Sequence, residues 1–265
     1  MIISISGKLN SGKDTVGEIV QIISASPHFT DEAVLSFIGR QHLNSIWEIK
    51  KFADKLKDIV CMLLGCTREQ LEDRKFKEKE LGEEWWYYKD SLFTERMLPY
   101  TDNKELEDDL TYYIIKLTPR LLLQLLGTEC GRQIIHPNIW VNALMSEYKL
   151  INGNISSSPY SSNRMNNALA ALKSTYPNWI TTDMRFPNEL KAVKDRNGIT
   201  IRVNRPDVLT NSITGKSFPI KVHRKEHESE TSLDSAIFDY VIQNDGTLED
   251  LIQKVREILI LEKII

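Results

Sequence analysis

The sequence predicts an α/β fold in which a central, mostly parallel sheet is covered by helices on both faces. Three observations carry that reading. A short β-branched run, Ile2-Ile3-Ser4-Ile5-Ser6, ends in Gly7, and from Asp14 to Ile23 the apolar residues Val16, Ile19, Val20 and Ile23 recur at helical spacing. Strand-like and helix-like segments then alternate along the chain, the pattern of crossover-connected parallel strands. Finally, 265 residues with 41% hydrophobic and 27% charged side chains suffice to bury a full core and match ordinary globular composition.

The later elements follow in order. Trp47 to Phe52 reads as a strand, and Ala53 to Leu64 as a helix on the spacing of Leu56, Ile59, Val60, Leu63 and Leu64. Pro119 to Leu126, Asn188 to Lys194 and Leu248 to Leu259 read as further helices. Trp179 to Thr182, Thr200 to Val203 and Tyr240 to Gln243 read as strands. Two segments fall outside the alternation. Residues 74 to 109 carry seven basic and eleven acidic side chains interleaved with Trp85, Trp86, Tyr87 and Tyr88, which predicts a solvated helical insertion, a subunit contact or a substrate-covering lid, with an outer bound near 112. Residues 152 to 167 are rich in Ser and Asn and predict a flexible loop. The expected organisation is one domain over 1–265 carrying these two interruptions.

Charge narrows the function classes. With 34 Lys+Arg against 37 Asp+Glu the formal net charge is −3, which argues against a polynucleotide partner held mainly through phosphates. Cys61, Cys66 and Cys130 form neither an even disulfide set nor a metal-binding framework and read as reduced thiols. No apolar run reaches the length needed to span a bilayer, and no basic segment and cleavage site mark a signal peptide, so a cytoplasmic location without membrane contact is expected.

The most specific motif is Gly7-Lys8-Leu9-Asn10-Ser11-Gly12-Lys13, which fits GxxxxGK between a strand and a helix. Small residues let backbone N–H groups converge on phosphate oxygens while the helix N-terminus faces the anion. Gly7, Asn10, Ser11, Gly12, Lys13 and Thr15 are therefore the expected nucleotide-phosphate residues, with Lys13 reaching the β- and γ-phosphates. Where a hydroxyl residue usually follows the lysine this chain has Asp14, and Thr15 comes one place later. The metal ligand is therefore open between Asp14 and Thr15, and Asp14 is a candidate to act on the transferred group.

Two further constellations carry charge. In Thr118-Pro119-Arg120-Leu121-Leu122-Leu123-Gln124, Arg120 and Gln124 share one helical face, a fork and an amide suited to a phosphate and a base edge. Arg132, after a break expected at Gly127, adds a second cation. In Asp183-Met184-Arg185-Phe186-Pro187-Asn188-Glu189, Asp183 ends a strand where a second magnesium carboxylate belongs, and Arg185 is placed to touch a transferring phosphoryl group; alternatively Asp183 caps the turn. Arg202 and Arg205, then Lys216, Lys221, Arg224 and Lys225, suggest a flap over a polyphosphate, or an ordinary solvated loop. His223 and His227 stand four apart, with no cysteine or HExxH beside them to support zinc.

These blocks also carry a resemblance. GKLNSGKDT at 7–15, FADKLK at 52–57, TPRLLLQLLGTECGRQ at 118–133, TDMRFPNEL at 182–190, HESE at 227–230 and NDGTLEDL at 244–251, in that order, are similar to the bacteriophage-type deoxynucleoside monophosphate kinases. The unusual GKxxSGKD loop is shared with animal-type phosphomevalonate kinases, and the later blocks favour the nucleotide kinase. The resemblance implies a phosphate-loop, adenylate-kinase-like fold with an acceptor region and a lid, and transfer of the γ-phosphoryl group of ATP to a deoxynucleoside monophosphate with Mg²⁺. It implies that Gly7, Gly12, Lys13 and Thr15 hold the donor and that Asp14 lies at the metal or the transferred group. Arg120, Gln124 and Arg132 become acceptor-site candidates, joined secondarily by Phe52, which reads either as a base-stacking ring or as a core residue, and by Lys57; Arg185, Arg202 and Arg205 become the charge-neutralising set. A kinase of another phosphorylated small molecule and a non-catalytic nucleotide-binding regulatory protein stand as the alternatives. Base preference and oligomeric state, a homodimer included, are not written in any of these motifs.

Overall fold

A computed structural model describes residues 1–40, 45–91, 97–101, 111–151, 175–206, 208–210, 217–219 and 231–265. The chain forms two compact units, Met1–Phe52 with Val141–Ile265, and Ala53–Trp140. The expected loop at 152–167, the basic stretch at 216–225 and both His223 and His227 lie outside the described residues, except that Ser217, Phe218 and Pro219 form a short strand.

The first unit is built on a five-stranded sheet. Its strands are β1 (Ile2–Gly7), β2 (Trp47–Lys50), β6 (Asn178–Met184), β7 (Ile199–Asn204) and β10 (Tyr240–Gln243), in spatial order β10-β7-β1-β6-β2 and all parallel. β1 is central: Ile3 pairs with Ile180 on one side and Ile199 on the other, and Gly7 stands level with Val203. All six β1 residues are buried, as a strand covered on both faces requires. Strand alternation sends Ile3 and Ile5 to one face, where they pack with Val16, Ile19, Val20 and Ile23 of α1 (Lys13–Ala25) and with Leu251, Ile252 and Val255 of the C-terminal helix Leu248–Leu261. Ile2 goes to the other face, with Trp179, Met184 and Val193. Each such fully buried aliphatic contributes about 1.5–3 kcal/mol relative to exposure. Ser4, buried on the Ile2 side, pairs with Thr181 at 2.5 Å, so the strand buries no unsatisfied hydroxyl there.

Connecting helices complete this unit. α2 (Asp31–Phe37) is capped by Thr30, whose hydroxyl accepts from the Ala33 N–H. The helix Pro187–Lys194 opens with proline at its first turn and follows β6 directly. Val208–Thr210 (β8) and Ser217–Pro219 (β9) pair antiparallel as a separate ribbon. Helix α2 and this ribbon carry no strong sequence signal and were not anticipated.

The second unit begins with α3 (Asp54–Leu64), ended by Gly65 in the left-handed conformation. Two short helices follow, α4 (Arg68–Glu72) and α5 (Arg74–Glu78), the first opened by a reciprocal cap between Thr67 and Gln70. The insertion departs from the expected helical form. After α5 a single 3-10 turn, Glu83–Trp85, leads into an antiparallel sheet, β4-β3-β5, made of Tyr87–Asp90 (β3), Met97–Pro99 (β4) and Tyr112–Ile115 (β5). The reason is visible in the residues: Tyr88 is buried and stacks on Tyr100, and the aromatic run fits a pleated, half-buried surface better than a solvated helix.

A second departure lies just beyond. α6 (Pro119–Gln124) is capped by the Thr118 hydroxyl, as the Thr-Pro pair suggests. It does not break at Gly127. The chain continues as a wide π-helical segment, Leu125–Ile135, a form that usually occurs as a single turn. Trp140 holds it there, its indole N–H donating to the Gly127 carbonyl at 2.8 Å while its ring lies against Gly131. A Cβ on Gly131 would stand 2.9 Å from the Trp140 ring, so only glycine allows this approach. The last helix, α7 (Ile139–Met145), crosses from this unit back into the first. In the first unit, Pro187–Lys194 is α8 and Leu248–Leu261 is α9.

Candidate active site

The loop between β1 and α1 sits where the sheet order reverses: the chain leaves β1 to build β2 and β6 on one side, then β7 and β10 on the other. Ligands of open parallel sheets bind outside the carboxyl ends of the strands at such a point. Gly7 closes β1, and the Ser11 N–H turns back to the Lys8 carbonyl at 3.1 Å. Asn10 at φ 61° and Gly12 at φ 92° supply the two left-handed residues that coil the loop. Ser11 is buried with its hydroxyl unpartnered, and Lys13 is only 8% exposed at the start of α1. Thr15 lies half-buried in the first helical turn. A coiled backbone at the N-terminus of a thirteen-residue helix presents N–H groups and a positive dipole end to an anion.

Asp14 follows Lys13 and is held from two sides. Its Oδ1 accepts from the Thr182 hydroxyl at 2.7 Å and from the Lys51 ammonium at 3.1 Å. Partial burial by itself would raise the pKa, yet the Thr182 hydrogen bond and the Lys51 charge outweigh it and hold the carboxyl below the usual aspartate range. Asp183, next along β6, accepts the Phe52 N–H at 2.9 Å, tying the end of β6 to the segment after β2. Capping of the turn falls to Glu189, 1% exposed, whose Oε2 accepts the N–H groups of Arg185 at 2.7 Å and Phe186 at 3.1 Å. That fixes the backbone at Arg185, which is itself half-buried at the carboxyl end of β6.

The arginines separate into two kinds. Arg202, expected among the charge-neutralising groups, is half-buried and already partnered. Its guanidinium donates to Ser6 Oγ at 3.0 Å and to Asp234 at 2.7 Å, and lies 5.8 Å from the Phe238 ring centroid. The cause is its position on a covered β7, where a buried cation needs a partner. Arg205 lies just past the end of β7 and is exposed. Phe52 is a correction of the same sort. At 2% exposure it packs among Ile2, Val141, Trp179 and Met184, which removes it as a base-stacking platform.

In the second unit, Arg120 and Gln124 occupy the exposed side of α6 as their spacing predicts. Arg120 Nε donates to Glu78 of α5 at 2.5 Å. Arg132 is half-buried on the π-helical segment. Lys57 pairs with Glu72 at 2.5 Å, and Glu72 also receives Lys77 at 3.1 Å. Burial would raise the Glu72 pKa, but the two lysines bring it down to about 2. Lys57 thus belongs to a helix-joining ion cluster.

Residues the sequence reading passed over also meet at the loop. Lys51 and Thr182 hold Asp14, and Lys8 lies 3.7 Å from Asp234. Asn244, in the NDGTLEDL block, donates from Nδ2 to the Ser11 carbonyl at 2.8 Å. Lys51 adjoins a strand end and Lys8 stands inside the glycine motif, signals that single them out; the roles of Thr182 and Asn244 are defined by tertiary contact.

Comparisons with known proteins agree with this geometry. The chain is 23% identical over 271 aligned residues to the deoxynucleoside-5'-monophosphate kinase of Escherichia phage T5, an alignment covering 92% of this chain and 89% of that protein. The profile of the deoxynucleotide monophosphate kinase family matches residues 1–255. Since that match takes in the glycine loop, the parallel sheet and the second unit together, the chain belongs to the deoxynucleotide monophosphate kinase family.

Proposed function

We propose that the protein transfers the γ-phosphoryl group of ATP to a deoxynucleoside 5′-monophosphate, yielding ADP and the deoxynucleoside diphosphate. The observation that carries this reading is the Gly7–Lys13 loop at the reversal point of an all-parallel sheet, in a chain matched to its family over 1–255. The donor phosphates lie in the loop, against its N–H groups and Lys13. An oxygen of the acceptor phosphate attacks the γ-phosphorus in line as the bond to the β-phosphate oxygen breaks. That oxygen is already a competent nucleophile at neutral pH, so no general base is needed and positioning supplies most of the rate.

Arg185 and Arg205, just past the carboxyl ends of β6 and β7, the two strands that flank β1, neutralise charge on the moving phosphoryl group. Arg120, Gln124 and Arg132 bind the acceptor. Asp14, Thr15 and Asp183 offer hard oxygen donors, with Asp14 held ionised, and this chemistry fits Mg²⁺. Among the described residues no three His, Cys, Asp or Glu side chains gather into a cage, in keeping with an ion held largely by substrate phosphates. Bound there, Mg²⁺ supplies charge neutralisation at the β- and γ-phosphate oxygens. Among the described residues no helix is long and apolar enough to cross a membrane.

A coupled ADP-release assay across the four common deoxynucleoside monophosphates, their ribose counterparts and a set of non-nucleotide phosphorylated small molecules tests the reading. ADP release that requires a deoxynucleoside monophosphate is the expected result. Turnover only with a non-nucleotide phosphorylated acceptor, or ATP binding without turnover on any acceptor, overturns it.

A further inference from the structure

The end of β10 reaches the glycine loop across 233 residues of sequence. Asn244 directly follows β10, and its N–H donates to the Asn204 carbonyl at 2.7 Å, which extends the β10–β7 ladder by one step. Its backbone is therefore held in register with the sheet. From there Nδ2 donates to the Ser11 carbonyl at 2.8 Å. Because that carbonyl only accepts, the amide orientation is fixed by the contact itself.

The contact sets the orientation of one peptide. The Ser11–Gly12 bond is trans, so its N–H points opposite to its C=O. With the carbonyl drawn to Asn244, the Gly12 N–H is turned to the other side of the peptide. Gly12 itself, at φ 92°, is the residue whose conformation makes this turn, and a Cβ there would stand 2.5 Å from Asn244 Nδ2. The Gly12 carbonyl is occupied separately, accepting the Val16 N–H at 2.9 Å as α1 begins. Glycine at 12 and asparagine at 244 are thus fitted to each other.

We infer that Asn244 is a positioning residue for the phosphate loop: by clamping the Ser11 carbonyl it aims the Gly12 N–H at the donor phosphates before they arrive. The inference rests on the phosphate-loop reading above. Pre-aimed N–H groups need no reorganisation on binding, and a peptide free to rotate would lose that advantage.

The test uses the full chain with Asn244→Leu, a neutral side chain of similar size without a donor, and Asn244→Asp, the same shape with a carboxylate facing the Ser11 carbonyl. Tripolyphosphate affinity is measured by calorimetry, steady-state constants for both substrates by ADP release, and melting temperature alongside. Asn244→Leu is expected to weaken tripolyphosphate about tenfold and to raise the KM for ATP by a similar factor. The acceptor KM should not move, and the melting temperature should stay within about 3 °C. Asn244→Asp should lose more than the leucine variant, since its charge also opposes the phosphates. Wild-type tripolyphosphate affinity in both variants overturns the positioning role while the phosphate-loop reading stands. A fall in active fraction with unchanged KM for ATP makes Asn244 merely structural and also overturns it. If the wild-type protein binds neither tripolyphosphate nor ATP, the phosphate-loop reading fails first and the positioning role falls with it.

Discussion

The two units present different kinds of group to an anion. In the first, the glycine loop offers backbone N–H groups and is held through the Ser11 carbonyl by Asn244, while Glu189 and Asp183 fix the backbone after β6 and after β2. In the second, the cations are held by carboxylates of the same unit, Arg120 on Glu78 and Lys57 on Glu72. Backbone donors need no partner exchange when a ligand arrives. A guanidinium paired to a carboxylate must give up that pair or share it, so on the proposed function an acceptor gripped by Arg120 meets a cost that the loop's N–H groups do not impose.

The largest expected effect is at the loop. Lys13→Ala should lower kcat by on the order of 10³-fold with little change in melting temperature, measured by ADP release and thermal unfolding. Retained turnover would break the contrast, since the first unit would then not hold the transferring phosphates. Next is Gly12→Ala, which places a Cβ against Asn244 at a left-handed position. It should cost about 2 kcal/mol of stability by denaturant unfolding and weaken ATP as well.

The second unit should respond more mildly and in both directions. Arg120→Ala is expected to raise the acceptor KM about tenfold and leave the ATP KM alone. Glu78→Gln, which releases Arg120 from its partner, should lower the acceptor KM by a few-fold at most, the exposed pair being worth roughly 1 kcal/mol or less. Opposite signs from the two variants would sharpen the comparison, and matching losses would mean that the pair serves folding alone.

The smallest effect is on stability. Glu72 has its pKa lowered from 4.5 to about 2 in the folded state, so the unfolded chain takes up its proton at higher pH. Its contribution is full above pH 4.5 and is lost as pH falls toward 2. Being half exposed, it is worth about 1 kcal/mol after screening. Glu72→Gln should therefore unfold at lower denaturant than the wild type near neutrality, with the gap closing in acid.

Local pattern made most of the first unit legible. The five parallel strands, α1, α8 and α9, and α3 in the second unit, follow from apolar periodicity, and the loop from glycine spacing, because each depends on neighbours within a few residues. The insertion was misread as helical since its charges dominate the composition, while the burial of Tyr88 that selects a sheet is a tertiary fact. The π-helical segment was hidden for a similar reason: Gly127 and Gly131 look like helix breaks until Trp140 is seen to use them.

What the amino-acid order determined by itself is the phosphate loop, its strand–loop–helix setting and the exposed Arg120–Gln124 face. What only the tertiary structure decided is which charged and aromatic groups remain available for chemistry. Phe52 and Arg202 passed into the fold, and Lys51, Thr182 and Asn244 came to the loop. The physical reason is that a side chain's role is set by its partners, and in a parallel sheet those partners arrive from strands far apart in the chain.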